Sequence, residues 1–242
     1  MPAKADPFLQ RRLLDVARID QAVAAAQHRR RTLPELAQIE QGSATVERLR
    51  GSLVLKQAEI GDLDRDARKL DAEIEAVRTR ARRDNERLAA GTAPAKDLEN
   101  MQHELTSLAR RQSALEDDAL ELMERREEAD AEAGRIEAEL AAAQSQVGAA
   151  QQRRDDAVAD IDDEIRRAAA ERAGLLDGMP ADLMALYEQI RGRGRTAAGA
   201  LTGGCCEACR MDLDRSALND IWAAPPDAVV RCSECGAILI RA

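Results

Sequence analysis

Residues 89–94 read AAGTAP, and they lie between two long stretches that share one apolar rhythm. Downstream, alternating steps of three and four from Leu98 to Ile161 meet 16 apolar residues in 19 positions, beginning Leu98, Met101, Leu105 and Leu108. The exceptions are Gln112, Arg126 and Arg154. Upstream, the same steps run from Val46 through Leu49, Leu53, Ile60, Leu63, Leu70 and Ile74 to Leu88, with Lys56 and Asp84 as exceptions. A repeat held that long is a coiled-coil seam rather than the inner side of a globular helix. Gly91 suits a helix C-cap, and Thr92 can cap a following helix with Pro94 in its first turn. The arms on either side, residues 8–90 and 95–176, are nearly equal in length. Equal arms about a turn predict an antiparallel hairpin of two helices, about 120 Å long if straight. A continuous helix in a parallel dimer is the rival, and Gly and Pro at the midpoint count against it.

The composition agrees with long helices. Charged residues make up 33% of the chain, and it has one Trp, one Tyr and one Phe. That mixture, rich in Ala, Glu, Arg and Leu, is what extended helices use. A disordered chain is the alternative, and the regular seam argues against it. The first arm is interrupted. Leu9, Leu13, Val16, Ile19 and Val23 form a stripe out of phase with the one from Val46, and the slip falls at HRRRTLPELAQIE (28–40). Thr32 and Glu35 stand in capping-box spacing around Pro34, so one helix should end near Arg31 and another start at Leu33 or Pro34. The basic run His28–Arg31 is read as a solvated face.

After residue 177 the rod ends. Ala181–Arg191 reads as a short amphipathic helix, and RGRGRTAAGALTGG (191–204) as a flexible link, so residues 178–202 form a helix and linker before a head at 203–242. The head contains GGCCEACRMDL (203–213) and VVRCSECGAILI (229–240). Cys206-x2-Cys209 and Cys232-x2-Cys235 are two knuckles, each able to turn two sulfurs toward one ion. Together they offer the tetrahedral thiolate set that Zn²⁺ accepts. Iron is the runner-up for such a site. The second knuckle reads as the loop of a β-hairpin closing on Gly236. About 40 residues bury too little apolar surface to fold alone, so one structural zinc is expected to drive their folding. Choosing Cys205 instead of Cys206 would give C-x3-C, a poorer match to the second knuckle. Four thiolates leave no open position for water, and neither His28 nor His103 lies in the head, so no enzyme activity is expected.

These residues resemble a family. MPADLMALYEQIRGRGRTAAGAL (179–201) followed by the two cysteine segments is similar to the bacterial C4-type zinc-ribbon proteins with an N-terminal coiled-coil hairpin, long catalogued as a domain of unknown function. HRRRTLPEL and LQRRLLDVARID are weaker echoes. This chain has Leu239-Ile240 where the family commonly ends its last strand with Leu-Tyr. The resemblance implies a non-enzymatic adaptor, some members being linked to flagellar or secretion systems, to an alternative sigma factor and to RNA. Those partners are not family-wide.

Net charge is −9. From Tyr187 onward seven Arg meet seven acids, so the preceding residues hold the whole deficit. This is not the basic footprint of a dedicated duplex-DNA binder. The hairpin tip differs: residues 78–111 hold eight bases and five acids, with Arg78, Arg80, Arg82 and Arg83 close together. These arginines are candidates for an anionic partner, against the plainer reading of salt-bridged helix ends. Trp222 is a candidate stacking aromatic. The expected role is a protein–protein adaptor acting through coil and ribbon; the alternative is a nucleic-acid-binding regulator. No run of about 18 apolar residues suggests a membrane span, and no signal peptide is evident, which places the chain in the cytoplasm. The zinc head is expected at the end of a rod that holds it away from other contacts.

Overall fold

The computed structural model describes residues 4–92 and 94–241, and 78% of these residues are helical. Among these residues the elements follow the order α1 (Pro7–Arg31), α2 (Pro34–Ala90), α3 (Ala95–Leu176), α4 (Ala181–Arg191), β1 (Ala198–Thr202), β2 (Cys205–Cys206), β3 (Met211–Asp212), α5 (Arg215–Ala223), β4 (Val230–Arg231) and β5 (Ile238–Arg241). The chain divides into two compact units, Ala37–Gln151 and the combination of Met1–Leu36 with Gln152–Ala242.

The unit Ala37–Gln151 is a helical hairpin. The buried residues of α2 are Val46, Leu49, Leu63 and Ile74, and α3 buries Leu115, Ala129, Ala133 and Ala150 beside them. Each is a seam position of the 3,4 repeat. Three of the polar interruptions are paired. Lys56 Nζ lies 2.7 Å from Glu132 and 2.8 Å from Glu59. Arg126 Nε donates to Asp64 at 2.7 Å, while Gln112 donates to Glu116 at 2.9 Å. Charges inside a seam hold one register of the two helices. Small residues bring the helices close: a Cβ on Gly42 would stand 2.6 Å from Cγ2 of Val147. At the tip, Gly91 has φ 63, the left-handed C-cap conformation that glycine adopts without strain. Ala93, within the expected turn at 90–94, lies outside the described residues.

The expected break falls at residues 32–33, between Arg31 and Pro34. The capping box does not form. The Thr32 hydroxyl donates back to the His28 carbonyl at 3.0 Å and closes α1, while Oε2 of Glu35 is buried without a partner. A C-terminal carbonyl of α1 has won the hydroxyl that the spacing assigned to α2.

In the other unit, α1 runs beside the end of α3. Arg29 pairs with Glu164, Arg30 with Asp162 at 3.1 Å, and Arg12 donates to the Leu175 carbonyl at 2.6 Å. Two expectations are overturned here. Residues 198–202, read as linker, are the central strand of a five-stranded sheet of order β3-β2-β1-β5-β4. The segment was illegible because Ala and Gly have weak strand preference, yet close packing demands them: a Cβ on Gly199 would come within 2.6 Å of the Ala208 backbone nitrogen. Nor is the head held free of contacts. One sheet face packs Ala198, Ile238 and Ile240 against Leu13, Val16 and Ala17 of α1 and Leu183, Tyr187 and Ile190 of α4. The other face, with Leu201 and Leu239, packs against Cys206, Leu213, Ile221 and Cys232. The alternation Ile238, Leu239, Ile240 serves both faces, as the period of two requires. Ile240, at the family's aromatic position, is buried in the α1 face.

Candidate metal centre

Two antiparallel turns carry the thiols. β2 pairs with β1 and β3, which fixes Cys206 opposite Leu201 and Met211. β4 pairs with β5, Arg231 opposite Ile238, so that residues 232–237 form the loop of the expected hairpin. Each knuckle closes with a backbone bond from the residue after its second cysteine. Arg210 N donates to the Cys206 carbonyl at 2.6 Å, and Gly236 N to the Cys232 carbonyl at 3.0 Å. Both residues are left-handed, with φ 60 and φ 78.

The sulfurs of Cys206, Cys209, Cys232 and Cys235 all lie within 4.8 Å of one another. The Cys206–Cys235 and Cys209–Cys232 separations are both 3.9 Å. Four sulfurs at about 2.3 Å from a tetrahedral Zn²⁺ stand about 3.8 Å apart, so the donor set and its spacing fit one ion. Cys205 stays outside the cluster, opposite Asp212 in the β2–β3 pairing. Burial and the neighbouring Asp212 carboxylate raise its thiol pKa.

Without metal, three of the four thiols are shifted, and not in one direction. Burial pushes Cys206 up to about 12. Burial also raises Cys235. Cys232 is lowered: burial opposes its ionisation, but the N–H groups of Cys235 and Glu234 point at its sulfur and prevail. A Zn²⁺ held by these sulfurs would replace their protons and tie the two knuckles together.

Sequence reasoning missed the groups that hold this head. Arg195 Nη1 donates to the Cys235 carbonyl at 3.2 Å, and Arg231 Nε to the Gly236 carbonyl at 2.9 Å. Arg241 donates to the carbonyls of Ile221, Ala224, Pro225, Pro226 and Ala228, gathering the loop after α5 under one guanidinium. Gln10, buried on α1, bonds the carbonyls of Ala5 and Pro226 at 2.8 and 3.2 Å. Nothing in the spacing of these residues marks them; RGRGR looked like linker.

Of the tip arginines, Arg78 pairs with Glu116 at 2.7 Å and Arg80 with Glu104. Arg82 and Arg83 are exposed, and no ion pair engages them among the described residues. Trp222, 55% exposed on α5, belongs to the other unit and not to the arginine cluster.

Residues 16–195 match the CT398-like coiled coil hairpin domain, and residues 205–239 match a C4-type zinc ribbon domain. The chain belongs to the CT398-like coiled-coil hairpin family. An uncharacterized protein of Mycobacterium tuberculosis (strain H37Rv) is 40% identical over 238 residues, which is 98% of this chain and 97% of the relative. An uncharacterized protein of Mycobacterium leprae is 32% identical over 226 residues, covering 92% and 96%. A solved structure from Mycobacterium smegmatis aligns with a TM-score of 0.87 at 38% identity, covering 99% of this chain and all of that one. CT398 from Chlamydia trachomatis aligns with a TM-score of 0.61 over 97% and 95% of the two chains. At 17% identity that likeness concerns the fold alone. The C4-type ribbon and its four gathered sulfurs give the chain one structural zinc. No described helix is long and apolar enough to cross a membrane.

Proposed function

We propose that this protein is a non-enzymatic adaptor that binds other proteins through its hairpin and its zinc ribbon. Cys206, Cys209, Cys232 and Cys235 are the zinc ligands, and their four thiolates fill the tetrahedral shell, so the metal holds structure rather than activating water. The observation that carries the adaptor reading is the set of large apolar side chains on the hairpin surface. Leu55 is 73% exposed, and Val54, Leu120 and Met123 are each more than half exposed, on helices whose seam is already filled. Scattered apolar residues are ordinary, but here they stand on a paired rod with no core of its own left to complete. Arg82 and Arg83 add unspent positive charge at the tip, suited to acidic groups of a partner. Catalysis has no support in the site, and the cytoplasm is the compartment where a reduced four-thiol site is stable.

A second reading, nucleic-acid binding, is favoured by one observation: the only Trp is exposed on the ribbon, where a base could stack on it. Four thiolates around Zn²⁺ leave about two negative charges nearby, which opposes phosphate approach. A cross-linked pull-down of the tagged chain, with and without nuclease, separates the readings. The adaptor reading expects nuclease-resistant protein partners that are lost in Leu55→Asp or Met123→Asp variants. It fails if the captured proteins vanish with nuclease or ignore those substitutions. RNA cross-linked directly, and lost in Trp222→Ala, would establish the second reading.

A further inference from the structure

The two knuckles share a backbone path but not their surroundings. At the left-handed position the first knuckle has Arg210 and the second Gly236. A side chain there crowds the following carbonyl, so the first turn is strained and the second is not. Arg210 is the one non-glycine with positive φ among the described residues. Guanidinium groups are also unevenly placed. Arg195, from the loop after α4, bonds the Cys235 carbonyl, and Arg231, from β4, bonds the next carbonyl, that of Gly236. Among the described residues no side-chain guanidinium bonds a carbonyl of the first knuckle.

Arg231 reaches a sulfur through one peptide group. The Gly236–Ala237 peptide accepts from Arg231 on its oxygen, and its N–H points at Cys235 Sγ. A cation on the carbonyl polarises the peptide and makes its N–H a stronger donor to a thiolate. The nearby guanidiniums also offset the negative charge of a four-thiolate zinc.

We propose that the zinc site is built asymmetrically: Arg231, supported by Arg195, is a positioning residue that keeps Cys232 and Cys235 on the ion, and Cys206 and Cys209 form the half that releases first. This rests on the assignment of those four cysteines as ligands. It makes the first knuckle the point where chelators, oxidants or partner thiols enter.

The experiment uses the full zinc-loaded chain, exposed to limiting EDTA with brief pulses of N-ethylmaleimide, followed by site-resolved mass spectrometry. Cys209 and Cys235 are compared because both are half-buried. Cys209 is expected to be labelled ahead of Cys235 by on the order of tenfold, a ratio within reach of one charge-assisted hydrogen bond. Arg231→Gln should narrow that gap, and Arg231→Lys should keep part of it. Arg210→Gly should narrow it from the other side by relieving the first knuckle, and it decides the matter alone if Arg231→Gln does not fold. Equal labelling, Cys235 first, or a gap untouched by these substitutions overturns the asymmetry. Zinc content separates the two levels: zinc retained at one per chain after Cys206→Ser and Cys232→Ser together would overturn the ligand assignment, and this inference with it.

Discussion

The hydroxyl of Tyr187 donates to Oδ2 of Asp20 at 2.8 Å, joining α4 to α1 across 167 residues of chain. Asp20, only 12% exposed at its side chain, also accepts from Arg172 at 2.8 Å and from Arg191 at 3.1 Å. Arg172 in turn pairs with Glu188. The LYEQIR segment thus spends its Tyr, Glu and Arg on a single junction of α1, α3 and α4. Burial, reinforced by the Asp20 carboxylate, raises the pKa of Tyr187, so it remains a donor across the physiological range. Tyr187→Phe should cost about 1–2 kcal/mol, since Asp20 keeps its two arginines. Asp20→Ala should cost about 3 kcal/mol or more, because it strands them. Urea titration followed by the fluorescence of Trp222, which lies in this unit, checks both; equal costs would contradict the hub.

Gly199 marks where strand β1 touches the first knuckle. Gly199→Ala drives a methyl into the Ala208 backbone, which has no flexible end to yield. The expected outcome is loss of zinc from the purified protein, read by metal analysis, with the hairpin's helical signal retained. Gly134→Ala is the control: nothing lies within 4 Å of the new methyl, and a glycine leaves a helix interior. That change should stabilise by about 0.5–1 kcal/mol.

Lys56 and Glu132 test the register of the hairpin. Their contact raises the lysine pKa and lowers that of the glutamate, through the hydrogen bond first in each case. Lys56→Glu or Glu132→Lys alone should lower the melting temperature by placing like charges together. The double reversal should recover most of it, and failure to recover would show that the pair is not coupled.

Zinc uptake should depend on pH. Burial raises the pKa of Cys206 and of Cys235, so the ion must displace protons from those thiols at neutral pH. Apparent affinity should therefore rise with pH, by about tenfold per unit for each proton displaced, and zinc should be lost progressively as pH falls. Competition with a chromogenic chelator between pH 6 and pH 8, roughly, measures the slope; a flat profile would mean the thiols were already ionised.

Periodicity made the hairpin legible, because seam positions such as Leu63 and Leu115 carry their burial in their spacing. The knuckles were legible for a similar reason: metal geometry constrains neighbours in sequence. The sheet was not. Ala198–Thr202 finds its partners some forty residues later in β5, and pairing at that distance leaves no local trace. Arg195, Arg231 and Arg241 were equally hidden, since each serves backbone carbonyls, which every residue has. The Thr32–Glu35 spacing misled because two helix ends competed for one hydroxyl.

The parallel pairing of β1 with β5 also sets a timetable for synthesis. β1 cannot find its partner until residues 238–241 have left the ribosome, and Leu13 and Val16 of α1 wait for the same strand to cover them. At roughly 5–20 residues per second, α1 spends on the order of ten seconds or more with that face uncovered. The hairpin, whose arms meet sooner, can be complete while the zinc head is still a loose chain of thiols. A nascent chain stalled just before residue 238 should therefore bind hydrophobic-surface chaperones through α1, and should let them go once β5 emerges.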